Sequence, residues 1–131
     1  MLLDTSGLLC CLDADDDRHA DAVKLYNAAS LRLTHNYVLA EFIALAQARR
    51  LSRGQSLTFA AAVATDAEVE VVWVDSALHD AAMRLLESQL DKAYSVCDAV
   101  SFLLMGQRGI VEALTTDRHF EQAGFRRLLA P

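Results

Sequence analysis

Short apolar runs alternate along the chain with longer segments whose apolar residues recur at helical spacing. The short runs predict strands at residues 1–3, 31–33, 69–74 and 112–115, and the third run is rich in β-branched valine. The longer segments predict helices at residues 6–12, 18–29, 36–50, 54–65, 95–107 and 117–123, with one more helix beginning at Ser76. This alternation is typical of βαβ units, so we expect an α/β fold around a mostly parallel sheet.

Residue types at the predicted helix ends support these boundaries. Asn36 and Ser76 are of the kinds that cap helix N-termini well, and we expect each to cap its helix. Gly124 follows the last helix, where it would adopt the left-handed conformation that glycine tolerates. Trp73 and Tyr94 are expected in the core rather than as platforms for base stacking.

Size and composition favour one packed core. The chain has 131 residues, of which 53% are hydrophobic, so we expect a single domain over residues 1–131. Cys10, Cys11 and Cys97 form neither a C-x-x-C pair nor an even disulfide set, and we expect reduced, packed thiols in a cytoplasmic protein. The first apolar stretch is too short for a signal peptide or a membrane span. By itself, the net charge of -6 argues against nucleic acid, since phosphate binding normally leaves a basic footprint.

Several classes of site are excluded because their motifs are incomplete or missing. Asp13, Asp15 and Asp17 resemble the start of an EF-hand, but Arg18 and Lys24 stand where that loop needs glycine and glutamate. The chain contains no Gly-rich nucleotide loop and no hydrolase elbow. The four histidines have no zinc-ligand spacing and are expected at the surface or as helix caps: His19, His35, His79 and His119.

Two aspartates follow predicted strands and precede predicted helices. Asp4 comes directly after the first strand, and Asp117 comes after the strand that ends at Thr115. Ligands of open parallel sheets bind at the carboxyl ends of the strands, so either carboxylate is well placed to hold a cation. Either could instead be a helix cap, since carboxylates cap well.

Glu41 is the acid for which a structural role is hardest to find. It lies in the middle of a predicted helix, where capping does not apply, and its neighbours one turn away include Tyr37, Val38 and Leu45. A charge on an apolar face costs several kcal/mol, roughly, unless it is paired or bound to metal. No arginine stands at the favourable i+4 position, although a salt bridge to a more distant arginine stays possible.

Asp98 begins a strongly apolar helix. With Ser95 it fits a capping box, with the acid at the third helical position. The apolar residues that follow indicate a central helix, so Asp98 would enter the core end of a buried element. Together the four acids offer the hard oxygen ligands that Mg²⁺ takes, and Mg²⁺ can drive phosphodiester hydrolysis.

Four segments resemble, in order, the motifs of the PIN-domain nucleases. The first is MLLDTS at residues 1–6, and the second is LTHNYVLAE at residues 33–41, which ends in Glu41. The third is YSVCDAVSF at residues 94–102, and the fourth is ALTTDRHF at residues 113–120. The resemblance covers essentially the whole chain, and the four motifs together are specific.

The resemblance implies a three-layer α/β/α sandwich with Mg²⁺, for which Mn²⁺ can substitute, at a cluster of acids. It implies an endoribonuclease, and many chains of this size are VapC-type toxins of type II toxin–antitoxin pairs, neutralised by an antitoxin and often homodimeric. Asp4 and Asp98 would be the main metal ligands and catalytic acids, completed by Glu41 and Asp117. Ser6 and Thr115 match supporting hydroxyl positions.

Metal at the acids would also reconcile the negative net charge with RNA binding, because a bound cation inverts the local electrostatic field. RNA would then meet a rim of arginines, for which the candidates are Arg49, Arg50, Arg53, Arg118, Arg126 and Arg127.

Two other functions stay open at this point. One is a PIN-like module that binds RNA or protein without cutting. The other is a phosphatase or phosphoacceptor with Asp4 as nucleophile. The second is disfavoured because such enzymes need an acid close behind the first and a lysine near the last strand, where this chain has Ser6 and Arg118.

Overall fold

The structure is a computed structural model that describes residues 1–130, over which it has five strands and seven helices. The strands are β1 (Leu2–Leu3), β2 (Arg32–His35), β3 (Val69–Val72), β4 (Glu112–Leu114) and β5 (Arg126–Arg127). The helices are α1 (Thr5–Leu12), α2 (His19–Ala28), α3 (Asn36–Ala48), α4 (Arg53–Thr65), α5 (Ser76–Ser88), α6 (Val96–Arg108) and α7 (Arg118–Gln122). Every predicted strand and helix is present, with small shifts at the ends.

The five strands form one parallel sheet in the order β3-β2-β1-β4-β5. The central strand β1 pairs Leu2 with Leu33 on one side and with Ala113 on the other. Since all the strands point the same way, the carboxyl ends of β2, β1 and β4 meet at a single edge of the sheet.

The two faces of the sheet are covered by different helices. Successive side chains of a strand point to opposite faces. Leu3 and Leu114 accordingly pack in one core with residues of α1, α2, α3 and α4. Leu2 and Ala113 pack in a second core with residues of α5, α6 and α7. The arrangement is the expected three-layer α/β/α sandwich, and burial on both faces explains why the central strand β1 consists of leucines alone.

The α3 helix begins with a histidine cap, so the prediction that Asn36 caps it is wrong. His35 is the N-cap residue, and its Nδ1 accepts a hydrogen bond from the backbone N–H of Val38 at 3.4 Å. His35 is fully buried, and burial lowers the pKa of its imidazole from 6.5 to about 4. Its other ring nitrogen, Nε2, lies 2.8 Å from Oγ of Ser101 on α6. A neutral imidazole therefore joins the end of β2 to α6.

The connection between β3 and α5 also differs from the prediction. The strand ends at Val72 rather than at residue 74, because the N–H of Val74 donates to Oδ1 of Asn36 at 2.7 Å instead of to a strand. Ser76 was expected to cap α5, but the cap is Asp75, whose Oδ1 accepts from a backbone N–H in the first turn at 2.8 Å. Both side chains bond backbone groups that the sheet and helix leave free.

The two aromatic residues expected in the core have different environments. Tyr94 is 9% exposed and packs edge-to-face on Phe102 with ring centroids 5.0 Å apart, which confirms its prediction. Trp73 is 73% exposed, so its prediction is wrong. It directly follows the edge strand β3, where one face of the chain is left open to solvent.

The strand β5 was not predicted. It has two residues, both arginine, and pairs with β4 at the edge of the sheet. A two-residue charged segment has no hydrophobic periodicity, so only its hydrogen bonds with β4 identify it. The preceding turn was predicted: Gly124 has φ +94, a left-handed conformation that side chains with a Cβ rarely adopt.

Helix α1 approaches β4 closely at Gly7. A Cβ on this residue would lie 2.0 Å from the backbone oxygen of Leu114, far inside van der Waals contact. Glycine therefore lets the helix that follows Asp4 lie directly against the strand that leads to Thr115.

The cysteines are free, as predicted, with Cys10 and Cys97 buried. Within residues 1–130, no helix has the length and apolar character needed to cross a membrane.

Candidate active site

A cleft of about 260 Å³ opens at the edge of the sheet where β1 and β4 end. The loops after these strands form its floor, and α3 and α6 supply its walls. All four predicted acids line it, together with residues that hold them: Asp4, Thr5, Ser6, Glu41, Leu45, Ala93, Ser95, Asp98, Asp117 and His119.

Asp4 is buried at the base of this cleft and is 4% exposed. It occupies the N-cap position of α1, but its side chain makes no capping hydrogen bond. Instead, its Oδ2 accepts from Oγ1 of Thr115 at 2.7 Å and from Oγ of Ser6 at 3.1 Å. The side chain of Asp4 therefore does not cap the helix, although helix capping was the alternative role for this residue.

Burial makes the carboxyl group of Asp4 an unusually weak acid. Its pKa rises from 3.8 to about 7, mainly because the buried carboxylate loses its water. The hydroxyl of Thr115 donates to the carboxylate and opposes this rise, while the negative charges of Asp98 and Glu41 add to it. A nearby cation would remove the penalty on the charged form.

Ser6 and Thr115 form a hydroxyl pair beside Asp4. Their oxygens are 3.0 Å apart, and each also accepts a backbone N–H from the loop after β4: Thr116 donates to Ser6 at 2.9 Å and Asp117 to Thr115 at 3.0 Å. The pair ties the first and fourth motifs together. Both residues therefore lie beside Asp4, and the supporting role that the family resemblance implies for them stays a prediction.

Glu41 lies near the middle of α3 and lines the wall of the cleft, half-buried. The salt bridge to a distant arginine that the sequence left possible does not form with any arginine in residues 1–130. Its charge is close enough to Asp4 to raise that residue's pKa. Glu41 therefore faces the other acids without a cationic side chain to balance it.

Asp98 lies at the start of α6 and is 7% exposed. The predicted capping box is present: Oγ of Ser95 accepts from the Asp98 N–H, and Oδ2 of Asp98 accepts from the Ser95 N–H, both at 3.0 Å. The capping role and the place in the cleft are compatible, because the box uses Oδ2. Oδ1 makes no hydrogen bond within residues 1–130, and the box fixes its direction.

Asp117 is likewise both a cap and a member of the cluster. It is the N-cap of α7, where its Oδ1 accepts from the N–H of His119 at 2.9 Å. Its second oxygen, Oδ2, lies 3.4 Å from Nδ1 of the same histidine.

His119 is the site residue that sequence reasoning missed. It was expected at the surface or as a cap, but its Nδ1 lies 3.1 Å from Oδ2 of Asp98 and 3.4 Å from Oδ2 of Asp117. The spacing of histidines could not reveal this, because the contact joins α6 to α7. The one available signal was that His119 stands two residues after a motif aspartate.

The donor set of the cleft fits a hard divalent cation. Within residues 1–130, no lysine or arginine pairs with any of the four acids, and the basic side chain nearest to their oxygens is His119, whose Nδ1 lies 3.1 Å from Asp98 and 3.4 Å from Asp117. The Oγ1 atom of Thr5, which lines the same cleft, is buried without a hydrogen-bond partner in that range. Buried charges and buried hydroxyls are normally satisfied. Carboxylate and hydroxyl oxygens are the ligands that Mg²⁺ and Mn²⁺ accept.

The expected arginine rim is only partly available. Arg126 pairs with Glu112 and Arg127 with Glu121, and Arg53 donates to Gln47. The other three candidates are exposed and form no ion pair within residues 1–130: Arg49, Arg50 and Arg118.

Comparison with known proteins agrees with this architecture. The family model described as "PIN domain" matches residues 1–126. The chain is 32% identical over 126 residues to proteins named 23S rRNA-specific endonuclease VapC20 from two strains of Mycobacterium tuberculosis, covering 95% of each chain. The crystal structure of M. tuberculosis VapC20, described as a sarcin–ricin loop cleaving toxin, superposes with a TM-score of 0.87 at 31% identity and covers 99% of this chain and 98% of that one.

Proposed function

Since the chain belongs to the PIN-domain family, we propose that it is a metal-dependent endoribonuclease of the VapC type, the toxin of a toxin–antitoxin pair. The observation that carries the proposal is the meeting of Asp4, Glu41, Asp98 and Asp117 in one cleft without a balancing lysine or arginine in residues 1–130. A silent binding module would have no need for four carboxylates gathered in one cleft.

Asp4 and Asp98 would hold Mg²⁺ or Mn²⁺, with Glu41 and Asp117 completing the set directly or through waters. When bound, the cation would supply positive charge opposite the phosphodiester and would help to activate a water. Ser6 and Thr115 hold Asp4 in place through Oδ2. Ser95 holds Asp98 through the capping box, which uses Oδ2 and leaves Oδ1 without a hydrogen bond within residues 1–130.

Glu41 differs from the other three acids in being unpartnered. Within residues 1–130 its carboxylate has neither an ion pair nor a hydrogen bond, whereas hydrogen bonds hold the other three carboxylates, so that of Glu41 is free to accept a proton or to orient a water. We propose that this is its part in hydrolysis.

The test compares RNA cleavage by the purified wild type, Asp98→Asn and Asp80→Asn. Asp80 is an exposed aspartate of α5 and serves as the matched control. The first RNA to try is a hairpin with the 23S sarcin–ricin loop, because the relatives named above act on it, alongside an unrelated hairpin. We expect cleavage that needs Mg²⁺ or Mn²⁺ and stops with EDTA. Asp98→Asn should lose about 100-fold or more, since even outer residues of metal sites are worth about 10–100-fold.

Undiminished cleavage by Asp98→Asn would refute this assignment. The asparagine in this variant keeps the size of the side chain and an oxygen for the capping box, so urea unfolding should show that the variant is folded. An intact variant with lost activity then separates a chemical role from a structural one.

We also propose two protein partners, an antitoxin and a second copy of this chain. Both follow from the family resemblance. Light scattering during size-exclusion chromatography measures the mass of the purified chain, and a monomer at all concentrations would contradict the homodimer.

A further inference from the structure

Leu45 is the one large apolar side chain that lines the acid cleft in the part of the chain that the structure describes. It is 37% exposed, whereas Val38, Phe42 and Ala46 of the same helix are fully buried. The rest of the lining consists of acids, threonine, serines, an alanine and a histidine. An exposed leucine needs no explanation on an ordinary surface. In this polar cleft, however, it offers apolar surface at the place where a substrate would lie.

Leu45 belongs to a stripe of three residues along α3 whose chemistry changes in order. Glu41, Leu45 and Arg49 follow one another at intervals of four, which places their side chains on successive turns of one helix face. The backbone N–H of Arg49 donates to the carbonyl of Leu45 at 2.9 Å, so the last turn is intact. Arg50 then turns the chain with φ 59 and ends the helix. The stripe therefore runs as acid, apolar residue and base, with a rise of about 5.4 Å for each turn.

The same order of chemistry occurs along an RNA strand. A phosphate is followed by a ribose that carries a nucleobase with apolar faces, and then by the next phosphate. Glu41 faces the acids at which a phosphodiester would be cut, and Leu45 could cover a base, since burial of apolar surface is favourable. Arg49 is exposed and has no ion pair within residues 1–130, so its charge is available to a phosphate.

We propose that Leu45 packs against the nucleobase on one side of the scissile phosphate and that Arg49 binds the next phosphate on that side, so that α3 sets the direction of RNA in the cleft. This inference rests on the proposed function, because it names substrate contacts of the same site. The apolar contact is made to one flank only, since the opposite wall, at the start of α6, carries Ala93 and Ser95. Every base has an apolar face, so Leu45 positions the strand without reading its sequence.

The first test pairs Leu45→Ser with removal of a base from the RNA. The substrate is the 23S sarcin–ricin loop hairpin, in which abasic riboses are introduced one position at a time. We expect Leu45→Ser to lower kcat/KM by about 10-fold, and an abasic ribose on one flank of the cleaved bond to do the same. The two changes together should cost no more than either alone, because both remove one contact.

The matched control for this cycle is Leu31→Ser. Leu31 is also exposed, but it lies directly before β2 and thus at the opposite edge of the sheet. Leu31→Ser should leave kcat/KM unchanged on the intact and the abasic hairpins. Leu45→Met keeps a large apolar side chain and should retain the wild-type rate. Effects of Leu45→Ser and base removal that multiply at every position would overturn the proposal.

The second test uses salt dependence to detect the phosphate contact of Arg49. RNA association weakens as salt rises, and each phosphate contact to a single strand contributes about 0.7 to the logarithmic slope. At constant Mg²⁺, Arg49→Gln should reduce the slope for kcat/KM by about this amount, whereas Leu45→Ser should leave it unchanged. An uncharged methylphosphonate at the phosphate beyond the coupled base should abolish the effect of Arg49→Gln.

Arg84→Gln is the control for charge, since Arg84 is an exposed arginine of α5 outside the cleft lining, and its slope should be that of the wild type. Arg49 stands at the C-terminus of α3, where a positive charge stabilises a helix. If that were its whole role, Arg49→Gln would change urea unfolding and leave the salt slope as it is. This result would overturn the proposal.

Failure of this inference can be distinguished from failure of the proposed function. If the hairpin is cleaved but neither cycle shows coupling, the inference is refuted and the nuclease stands. If the hairpin is bound and not cleaved, dissociation constants from fluorescence anisotropy replace kcat/KM in both cycles. Coupling then supports the inference while the proposed function fails. If the hairpin is neither bound nor cleaved, both are refuted.

Discussion

Replacement of Asp4 by asparagine should stabilise the protein in EDTA at neutral pH. The wild-type carboxylate is 4% exposed and has no lysine or arginine partner within residues 1–130, so its charge is costly once metal is removed. The introduced asparagine has nearly the same shape, and its amide oxygen can still accept the hydrogen bonds of Ser6 and Thr115. The substitution therefore removes the charge and keeps the contacts.

The size of the effect follows from the pKa of Asp4. Burial raises it from 3.8 to about 7, so between these two pH values the folded protein binds more protons than the unfolded chain. Stability then falls as pH rises through this window, and the full cost is present above pH 7. At about 1.4 kcal/mol for each pH unit, the cost above pH 7 is at most about 4 kcal/mol. The charges of Asp98 and Glu41 are part of this cost, because both raise the pKa of Asp4.

Urea unfolding in EDTA at pH 5 and pH 8 measures the effect, with Asp80→Asn as the exposed control. The stability advantage of Asp4→Asn should grow by about 2–3 kcal/mol between the two pH values, and that of the control should not. Millimolar Mg²⁺ should reverse the order, since it stabilises only a folded protein that binds it. A stability advantage that is absent, or the same at both pH values, would refute the reasoning that the buried, unbalanced charge of Asp4 destabilises the folded protein.

Three other substitutions test the framework around the cleft by urea unfolding. Gly7→Ala should destabilise the protein by about 2 kcal/mol or more, because its Cβ would lie 2.0 Å from a backbone oxygen of β4. In the control Gly106→Ala, the new Cβ meets nothing within 4 Å and should stabilise α6. Equal effects of the two substitutions would contradict the close packing at Gly7. Ser101→Ala should cost about 1–3 kcal/mol by leaving Nε2 of the buried His35 without its partner, and a neutral result would mean that the contact contributes nothing. Ser95→Ala should cost about 1 kcal/mol as a lost cap and also weaken Mg²⁺ binding measured by calorimetry, and unchanged binding would show that the capping box does not position its acid.

Much of the fold could be predicted because both faces of the sheet are buried. Strands β1, β3 and β4 are then mostly apolar and the helices show helical periodicity, so both signals are strong in a single sequence. Asp4, Asp98 and Asp117 could be ranked as candidates because they stand at strand ends or helix starts, which a parallel sheet brings to one edge. Glu41 could be ranked because it stands in mid-helix on an apolar face. What the sequence could not decide was whether Asp98 and Asp117 are caps or cleft residues, since the structure makes each of them both.

The features that were missed depend on contacts between elements distant in sequence. His119 reaches Asp98 only because α7 packs beside α6, and the spacing of residues along the chain does not reveal that contact. The cap of α3 was assigned to Asn36 rather than His35 because propensity favours asparagine, whereas in the fold the asparagine bonds the segment after β3. Trp73 was placed in the core because tryptophan is apolar, but the strand before it is an edge strand.

The negative charge of the chain has a structural consequence for RNA binding. Three of the six candidate rim arginines are engaged by side chains of the same chain, so the exposed candidates for phosphate contact are Arg49, Arg50 and Arg118. Three exposed arginines are few against a net charge of -6, and four of the acids lie in the cleft that a phosphodiester would have to enter. Cations held by those acids, as proposed above, would make the cleft attractive to phosphate rather than repulsive. The same ions would favour the charged form of Asp4, so under this proposal the acidity of the protein and an activity on RNA do not conflict.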